Sequence, residues 1–535
     1  MIGVAANPNE WDAAREFFEL FKTPWEPAVA GRPYRAVVST IGRPAGVESS
    51  LLLAYGDGQL NVDRAAGVRT DRMPALRRAE WAGASFPIYR GAAAFDGRGP
   101  STLAGSGRAL DYSGNTTGCR FRRFGYNLFE EVQHLLTEGQ PTSDALTPTL
   151  DLHVGLLREA LTDSGVPFVE VLPHPSGYDF VCCLTHDIDF FGLRRHVLDR
   201  TLAGFVARAS VGSLVDVVRR RRTVDEALRN WAALLSLPLV YLGVLSDPWR
   251  PLDDYERADA ARPSTFFLVP YRGRAGVRPH GGTDASRSVK YDVADVSAAL
   301  QSAAARGREL AVHGIDAWRD EEAGRAEMGR VARLAGRETA GVRMHWLYFA
   351  SDSPTRLERA GFDYDSTSGY NDAVGYRAGT SQVYRLPGTR GLMELPIAIM
   401  DTALFYADRL GLSRSEALER CRAIIGHARR AGGTVVVNWH DRSLAPERLW
   451  GRAYAELLQE LDDGAPWFAT AADAVEWFRW RRAVTFEAAP GGAVVVHSGP
   501  LRPGFPGAVV AVRRPGTRTE ERLVLAGGEA QRVEP

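Results

Sequence analysis

The chain has 535 residues, 45% hydrophobic and 24% charged, an ordinary globular composition with enough apolar surface for more than one core. This excludes intrinsic disorder and makes two or three domains the expectation at this length. Sixty-five basic side chains balance sixty-five acidic ones, so no overall field of either sign recruits nucleic acid or an anionic membrane. Four cysteines, Cys119, Cys182, Cys183 and Cys421, form no CxxC pair and no disulfide framework. The stretch after Met1 is acidic and helix-like, unlike a secretion signal. The longest apolar run, around Trp231 to Leu245, contains Pro238 and falls short of a bilayer. A soluble cytoplasmic protein without a membrane span is expected.

Residues 1–110 mix strand-like runs, Tyr34 to Ile41 and Ser50 to Tyr55, with an amphipathic helix near Trp11 to Phe21, and read as an N-terminal α/β accessory domain. Residues 111–177 read as a helical linker region containing helices at Leu128 to Leu136 and Leu150 to Leu161. From Asp179 the pattern becomes regular. Strand-length apolar runs at Phe180 to Leu184, Thr265 to Val269, Glu309 to Val312, Gly341 to Leu347, Leu392 to Ile399 and Thr434 to Trp439 alternate with helical segments at Asp320 to Leu334, Ser353 to Ala360 and Ser413 to Arg430. That alternation predicts strand-crossover-strand units and a parallel sheet or barrel over 178–482. The long interval 190–263 predicts a helical insertion, in which Arg219 to Arg222 reads as a solvated helix face, with contact to an acidic lipid or polymer as the alternative. Apolar runs at Ala493 to His497, Ala508 to Val512 and Leu523 to Leu525 predict a small β-rich module over 483–535.

The most informative segment is Cys182-Cys-Leu-Thr-His-Asp-Ile-Asp, an apolar strand that ends in His186, Asp187 and Asp189. In parallel α/β folds the carboxyl ends of strands open onto the ligand crevice. The strand period of two puts Asp187 and Asp189 on one side. Other predicted strands end alike, in His313, in His345 and in His440-Asp441. Histidine nitrogens facing carboxylate oxygens suit zinc or another divalent transition metal, with an open position where water is activated.

Thr185-His-Asp-Ile-Asp, Ser264-Thr-Phe-Phe-Leu-Val-Pro, Glu309-Leu-Ala-Val-His-Gly, Arg343-Met-His, Gly361-Phe-Asp-Tyr-Asp-Ser-Thr and Trp439-His resemble, in that order, the motifs of the polysaccharide deacetylase family, the NodB-like carbohydrate esterases. The resemblance covers roughly residues 178 to 480. It implies a distorted (β/α) barrel that removes acetyl groups from N-acetylated sugars, using an aspartate base and a metal held by one aspartate and two histidines. Carried onto this chain, it makes Asp187 the base and Asp189 a ligand, with the exchange of those two roles open, and His313 a second ligand. The family's next histidine is replaced by Ala317. His345, standing where the family carries a proline after the motif arginine, is the proposed third ligand, and participation of His186 stays open. Arg343 resembles the arginine that holds the base, and His440 would protonate the leaving amine. Asp365, ahead of Asp441, is the candidate to orient a histidine. Arg377, Trp318 and Trp346 are the candidate substrate contacts, with Tyr348 and Tyr370 as further aromatics, against the packing roles such residues ordinarily take.

The resulting expectation is a metal-dependent hydrolase, zinc first, acting on an acetylated saccharide or glycoconjugate precursor such as a nucleotide-linked or lipid-linked sugar. Two alternatives stand beside it: a catalytically silent carbohydrate-binding protein on the same barrel, and an amidohydrolase of a small nitrogenous substrate.

Overall fold

A computed structural model describes residues 1–95, 101–116, 118–219, 222–445, 447–448, 450–515 and 520–535. At the N-terminus, Ile2–Ala5, Trp25–Pro27, Pro33–Ser39 and Glu48–Tyr55 form a parallel sheet, on which the helix Trp11–Leu20 buries Phe17 and Phe18. The sheet is completed by the hairpin Asp111–Thr116 and Cys119–Phe124, whose second strand runs parallel to Glu48–Tyr55. The linker expected to be helical over 111–177 therefore opens with two strands of the N-terminal sheet. Arginines obscured them: Arg122 and Arg123 interrupt the apolar pattern, yet both are buried, paired with Asp111 and Asp63. The two helices expected beyond them run over Leu128–Thr137 and Thr149–Asp163.

The C-terminal strands do not close on themselves. Ala508–Arg513 pairs antiparallel with Phe168–Pro175 as well as with Glu521–Leu525, while Thr485–Ala488, Val494–His497 and Ala530–Val533 make a second small sheet. A strand from the 111–177 stretch thus supplies one edge that the tail lacks.

Between these parts lies the sheet that positions the site. Its strands are β1 (Phe180–Ile188), β2 (Ser264–Leu268), β3 (Glu309–Gly314), β4 (Val342–Met344), β5 (Tyr364–Asp365), β6 (Tyr384–Arg385), β7 (Met393–Glu394), β8 (Ile399–Met400), β9 (Thr434–Asn438) and β10 (Pro466–Phe468). The order is β6-β7-β5-β4-β3-β2-β1-β9-β8, with β10 beside the start of β1, and every pairing but β6 with β7 is parallel. Both faces are covered, so β1 is buried from end to end, which accounts for its unbroken apolar run before His186. Outer helices include Glu321–Ala332, started by the Asp320 side chain, and Arg414–Ala431, started by a capping box of Ser413 and Glu416.

The architecture is α/β with a curled parallel sheet in place of the regular barrel ladder. The strand expected over Leu392 to Ile399 splits into β7 and β8, because its backbone serves both edges: Leu395 and Ile397 donate to Asp365 and Ser368 on one side, and Ala398 donates to Val436 on the other. The insertion between β1 and β2 is helical, with Arg200–Ala207 continuing through a wide turn, Arg208–Gly212, into Ser213–Val218, followed by Val224–Tyr241 and Pro251–Asp259. The solvated arginine run is only partly so. Arg219 is exposed, Arg222 is buried with a donor on the Glu447 carbonyl, and Arg220 and Arg221 lie outside the described residues.

Candidate active site

Strand period two determines which side chains meet. Asp187 and Asp189 from the end of β1, Arg343 and His345 from β4, and Asn438 and His440 from β9 all point to the same side, and His313 lies beside Arg343 in the β3–β4 ladder. Asp187, Asp189, His313, His345 and His440 line a cleft of about 290 Å³, with Arg343 and Asn438 buried beneath it.

Asp189, His313 and His345 offer one ligand atom each, all within 4.8 Å of one another. Asp189 Oδ1 is 3.3 Å from His345 Nε2 and 3.6 Å from His313 Nε2. With metal–ligand bonds of about 2.0–2.1 Å, the edge of a tetrahedron is about 3.3 Å, so the spacing suits a small divalent ion. Three further features fit. Among the described residues Asp189 Oδ1 is buried without a hydrogen-bond donor, an arrangement that is costly unless a cation or water completes it. His313 Nδ1 is 3.0 Å from the Arg343 carbonyl, which can only accept, so Nδ1 carries a proton and Nε2 is the nitrogen left to ligate. Burial lowers the pKa of His345 to about 3, which keeps its imidazole neutral and able to ligate.

Asp187 stands in a different environment. Arg343 Nη1 donates to its Oδ1 at 2.9 Å and Asn438 Nδ2 to its Oδ2 at 2.7 Å. Burial alone would raise its pKa, but the Arg343 guanidinium, then His313 and His440, hold it well below the usual carboxylate range. Arg343 is itself fixed: it donates to Thr185 Oγ1 and to the backbone and hydroxyl oxygens of Ser366, and lies 4.1 Å over the Phe267 ring.

His440 Nε2 lies 3.8 Å from Asp187 Oδ2, and its Nδ1 lies 2.6 Å from Asp401 Oδ1. Asp401 also accepts from the His440 backbone and from Ser443. Burial works against protonation of His440, but Asp401, followed by Asp187 and Asp189, raises its pKa to about 10. An imidazolium with a proton on Nε2 therefore faces the cleft beside a carboxylate. Replacing Asp401 with asparagine removes the largest opposing charge. The alkaline limb of the pH–rate profile is expected to move down by about two units or more, toward the ordinary histidine value, as a pH series of kcat/KM would show.

Asp401 is the orienter of His440, and Asp365 is not. Asp365 is fully buried and accepts from Thr367, and burial raises its pKa to about 7 beside Glu394, away from the cleft. Asp441 lines the cleft, but its Oδ2 has no partner, and burial pushes its pKa well up. The strand-end rule that selected the histidines would also have found Asp401, which follows Ile399-Met400 directly, and Asn438, two residues before His440.

The other expected residues divide. His186 points away from the cleft, between the Trp439 carbonyl and Asp259, stacked on Tyr255, and binds strand to outer helix. Trp318 is buried outside the cleft, near Tyr348. Arg377 donates to the Gln140 and Glu138 carbonyls and lies over Tyr370, so it joins the curled sheet's loops to the preceding helix instead of meeting substrate. Trp346 lines the cleft, 38% exposed. The chain turns there through the left-handed region at Trp346 and Leu347, φ 65° and 55°, a conformation costly for side chains of this size. Arg287 donates to the His345 carbonyl at 2.8 Å and Asn371 to the Trp346 carbonyl at 3.0 Å, which holds the turn. The cleft lining, unforeseen from the sequence, also carries Arg409 and Arg448 beside Tyr406 and Trp450, and Arg442 over Phe190. Among the described residues none of these three arginines has a carboxylate within ion-pair distance.

No family model and no curated protein matches the chain. Among solved structures it is similar to a protein of Mycobacterium smegmatis assigned as a polysaccharide deacetylase, at 20% identity over 58% of this chain and 93% of that one, with a TM-score of 0.34. It is also similar to Agd3, a carbohydrate deacetylase, at 10% identity over 98% of this chain and 92% of that one, TM-score 0.32. PuuE allantoinase is 12% identical over 56% and 91% of the two chains, TM-score 0.34. At such identities and TM-scores these likenesses bear on no individual residue of this chain.

Proposed function

We propose that the chain is a metal-dependent hydrolase that removes an acetyl group from an acetylated saccharide or glycoconjugate. The observation that carries this reading is Asp189 Oδ1, buried without a donor and facing the Nε2 atoms of His313 and His345. Asp189, His313 and His345 would hold a divalent cation, zinc first, and such an ion would supply an acidified water and a polarised carbonyl.

The remaining roles belong to the chain. Asp187 has both oxygens engaged by Arg343 and Asn438, so it is unsuited as a ligand and suited to receive a proton at Oδ2, on the side shared with His313 and His440. A carboxylate so strongly paired accepts a proton only from an acidified donor, which makes it a base dependent on the neighbouring cation site. His440, protonated and held by Asp401, gives its Nε2 proton to the departing nitrogen, which leaves poorly as an anion. Trp346 offers an apolar face to a sugar ring at the cleft edge.

Arginines 409, 442 and 448 favour a substrate with an anionic group, such as the phosphates of a nucleotide-linked or lipid-linked sugar. Arg448→Met is therefore expected to raise KM about tenfold for a phosphorylated acetyl sugar while leaving a neutral N-acetylated oligosaccharide unaffected. The reading as a whole is tested by measuring bound metal and acetate release together. About one divalent ion per chain, with acetate released from N-acetylglucosamine oligosaccharides or their phosphorylated precursors, is expected. Stoichiometric metal with acetylated sugars left inert would sink the deacetylase assignment, and absence of tight metal binding would sink the hydrolase.

A further inference from the structure

We propose that the helical insertion between β1 and β2 docks, by the exposed apolar face of its helices, on the surface of an anionic lipid bilayer. The inner face of the insertion is accounted for: Phe205 and Ala209 are buried with Leu193, Trp249 and Ala445. Its outer face is not. Leu198 is 94% exposed, Leu235 80%, and Val218 and Leu242 76% each, and among the described residues most of the exposed large hydrophobics fall between Val197 and Leu245. On the helix Val224–Tyr241 the exposed Val224, Leu228, Trp231, Leu235 and Leu239 recur at helical spacing and share one face, and an apolar face of this kind marks a contact with something less polar than water. Residues Arg200–Val218 have a mean hydropathy of 1.4 and are 17% buried, so by length and composition alone they could cross a membrane. Packing decides otherwise. Phe205 and Ala209 hold one side of the helix to the protein, and Arg208 and Asp216 interrupt it, so the helix lies along an interface with its free side toward lipid.

Charge selects the occupant. The whole chain is neutral, but residues 190–250 contain ten arginines against five acidic residues. Arg200, Arg219 and Arg229, close in sequence to the exposed Leu198, Val218 and Leu228, are themselves exposed and form no ion pair among the described residues. A second copy of the chain would bring two such arginine rims together, whereas anionic headgroups complement them. Trp231, 39% exposed on the same face, has the amphipathic character that sits at headgroup depth. The insertion adjoins the cleft: Phe190, at its start, lines the cleft and carries the Arg442 guanidinium 3.6 Å above its ring. Docking would therefore bring the cleft beside the lipid surface. The inference does not depend on the hydrolytic reading.

Flotation of the full chain with vesicles tests it, using phosphatidylcholine alone and phosphatidylcholine mixed with phosphatidylglycerol. Association with the anionic vesicles that weakens as salt is raised is expected. The double substitution Leu235→Glu and Leu242→Glu should lower the bound fraction at least about tenfold at an unchanged melting temperature, since both side chains are solvent-facing. Arg219→Glu with Arg229→Glu should weaken anionic binding without touching an apolar contact, which keeps the test decisive if the leucine variant is perturbed. The proposal is overturned if the parent chain fails to float with anionic vesicles, or if neither double variant floats less than the parent. It is equally overturned if light scattering shows a dimer that the leucine substitutions convert to monomer, because the face would then be covered by a second copy.

Discussion

His345→Ala is expected to weaken divalent-ion binding at least about a hundredfold and to abolish acetate release, since loss of a direct ligand exceeds the 10–100-fold effect of removing an outer partner. The geometry makes this the most informative single substitution. His345 Nε2 lies 3.3 Å from Asp189 Oδ1, and the two imidazoles of His313 and His345 lie 4.7 Å apart between centroids. Dialysis followed by metal analysis, with circular dichroism as a control for folding, reads the outcome. His313→Ala should behave alike, whereas His186→Ala should lower stability and leave metal content unchanged, because His186 faces Asp259 and Tyr255. Full metal occupancy in His345→Ala would mean that the third ligand comes from elsewhere.

Asp187→Asn is expected to lower kcat by about a hundred- to ten-thousandfold while metal is retained, the range associated with loss of a general base. The opposite pattern, loss of metal, is expected for Asp189→Asn. One residue separates the two aspartates, yet their roles differ. Asp187 spends its oxygens on Arg343 and Asn438, and Asp189 leaves Oδ1 bare toward the histidines. An amide in place of the Asp187 carboxylate keeps the shape of the side chain and loses both the charge and the proton-accepting oxygen. Metal loss in Asp187→Asn, with retention in Asp189→Asn, would exchange the assignments.

Much of this constellation was legible without a structure. The period-two pattern at the end of β1, and histidines at the ends of the strands carrying His313, His345 and His440, identify one side of one sheet, because parallel strands all open their carboxyl ends to the same crevice. What was illegible is instructive. Asp365 and Arg377 occupy motif-like positions, yet their side chains are committed to Glu394 with Thr367 and to the carbonyls of Glu138 and Gln140. Asp401 carries the same strand-end signal as the histidines, but on a strand that is short and broken, and strand breaks depend on which edge the backbone bonds to.

The sequence by itself determined the alternation of strands and helices, the shared side of Asp187 and Asp189, and the set of histidines available to a metal, since these follow from local periodicity and residue chemistry. Only the tertiary structure decided that Asp189 and not Asp187 is the bare carboxylate, that Asp401 holds His440, and that β7 and β8 serve opposite edges of a curled sheet. It also decided that the insertion leaves large apolar side chains such as Leu198, Leu235 and Leu242 exposed. Hydrogen-bond allegiance and surface clustering depend on partners distant in sequence, and a carboxylate's role is set by which donors reach it, a matter of three-dimensional distance that no one-dimensional pattern records.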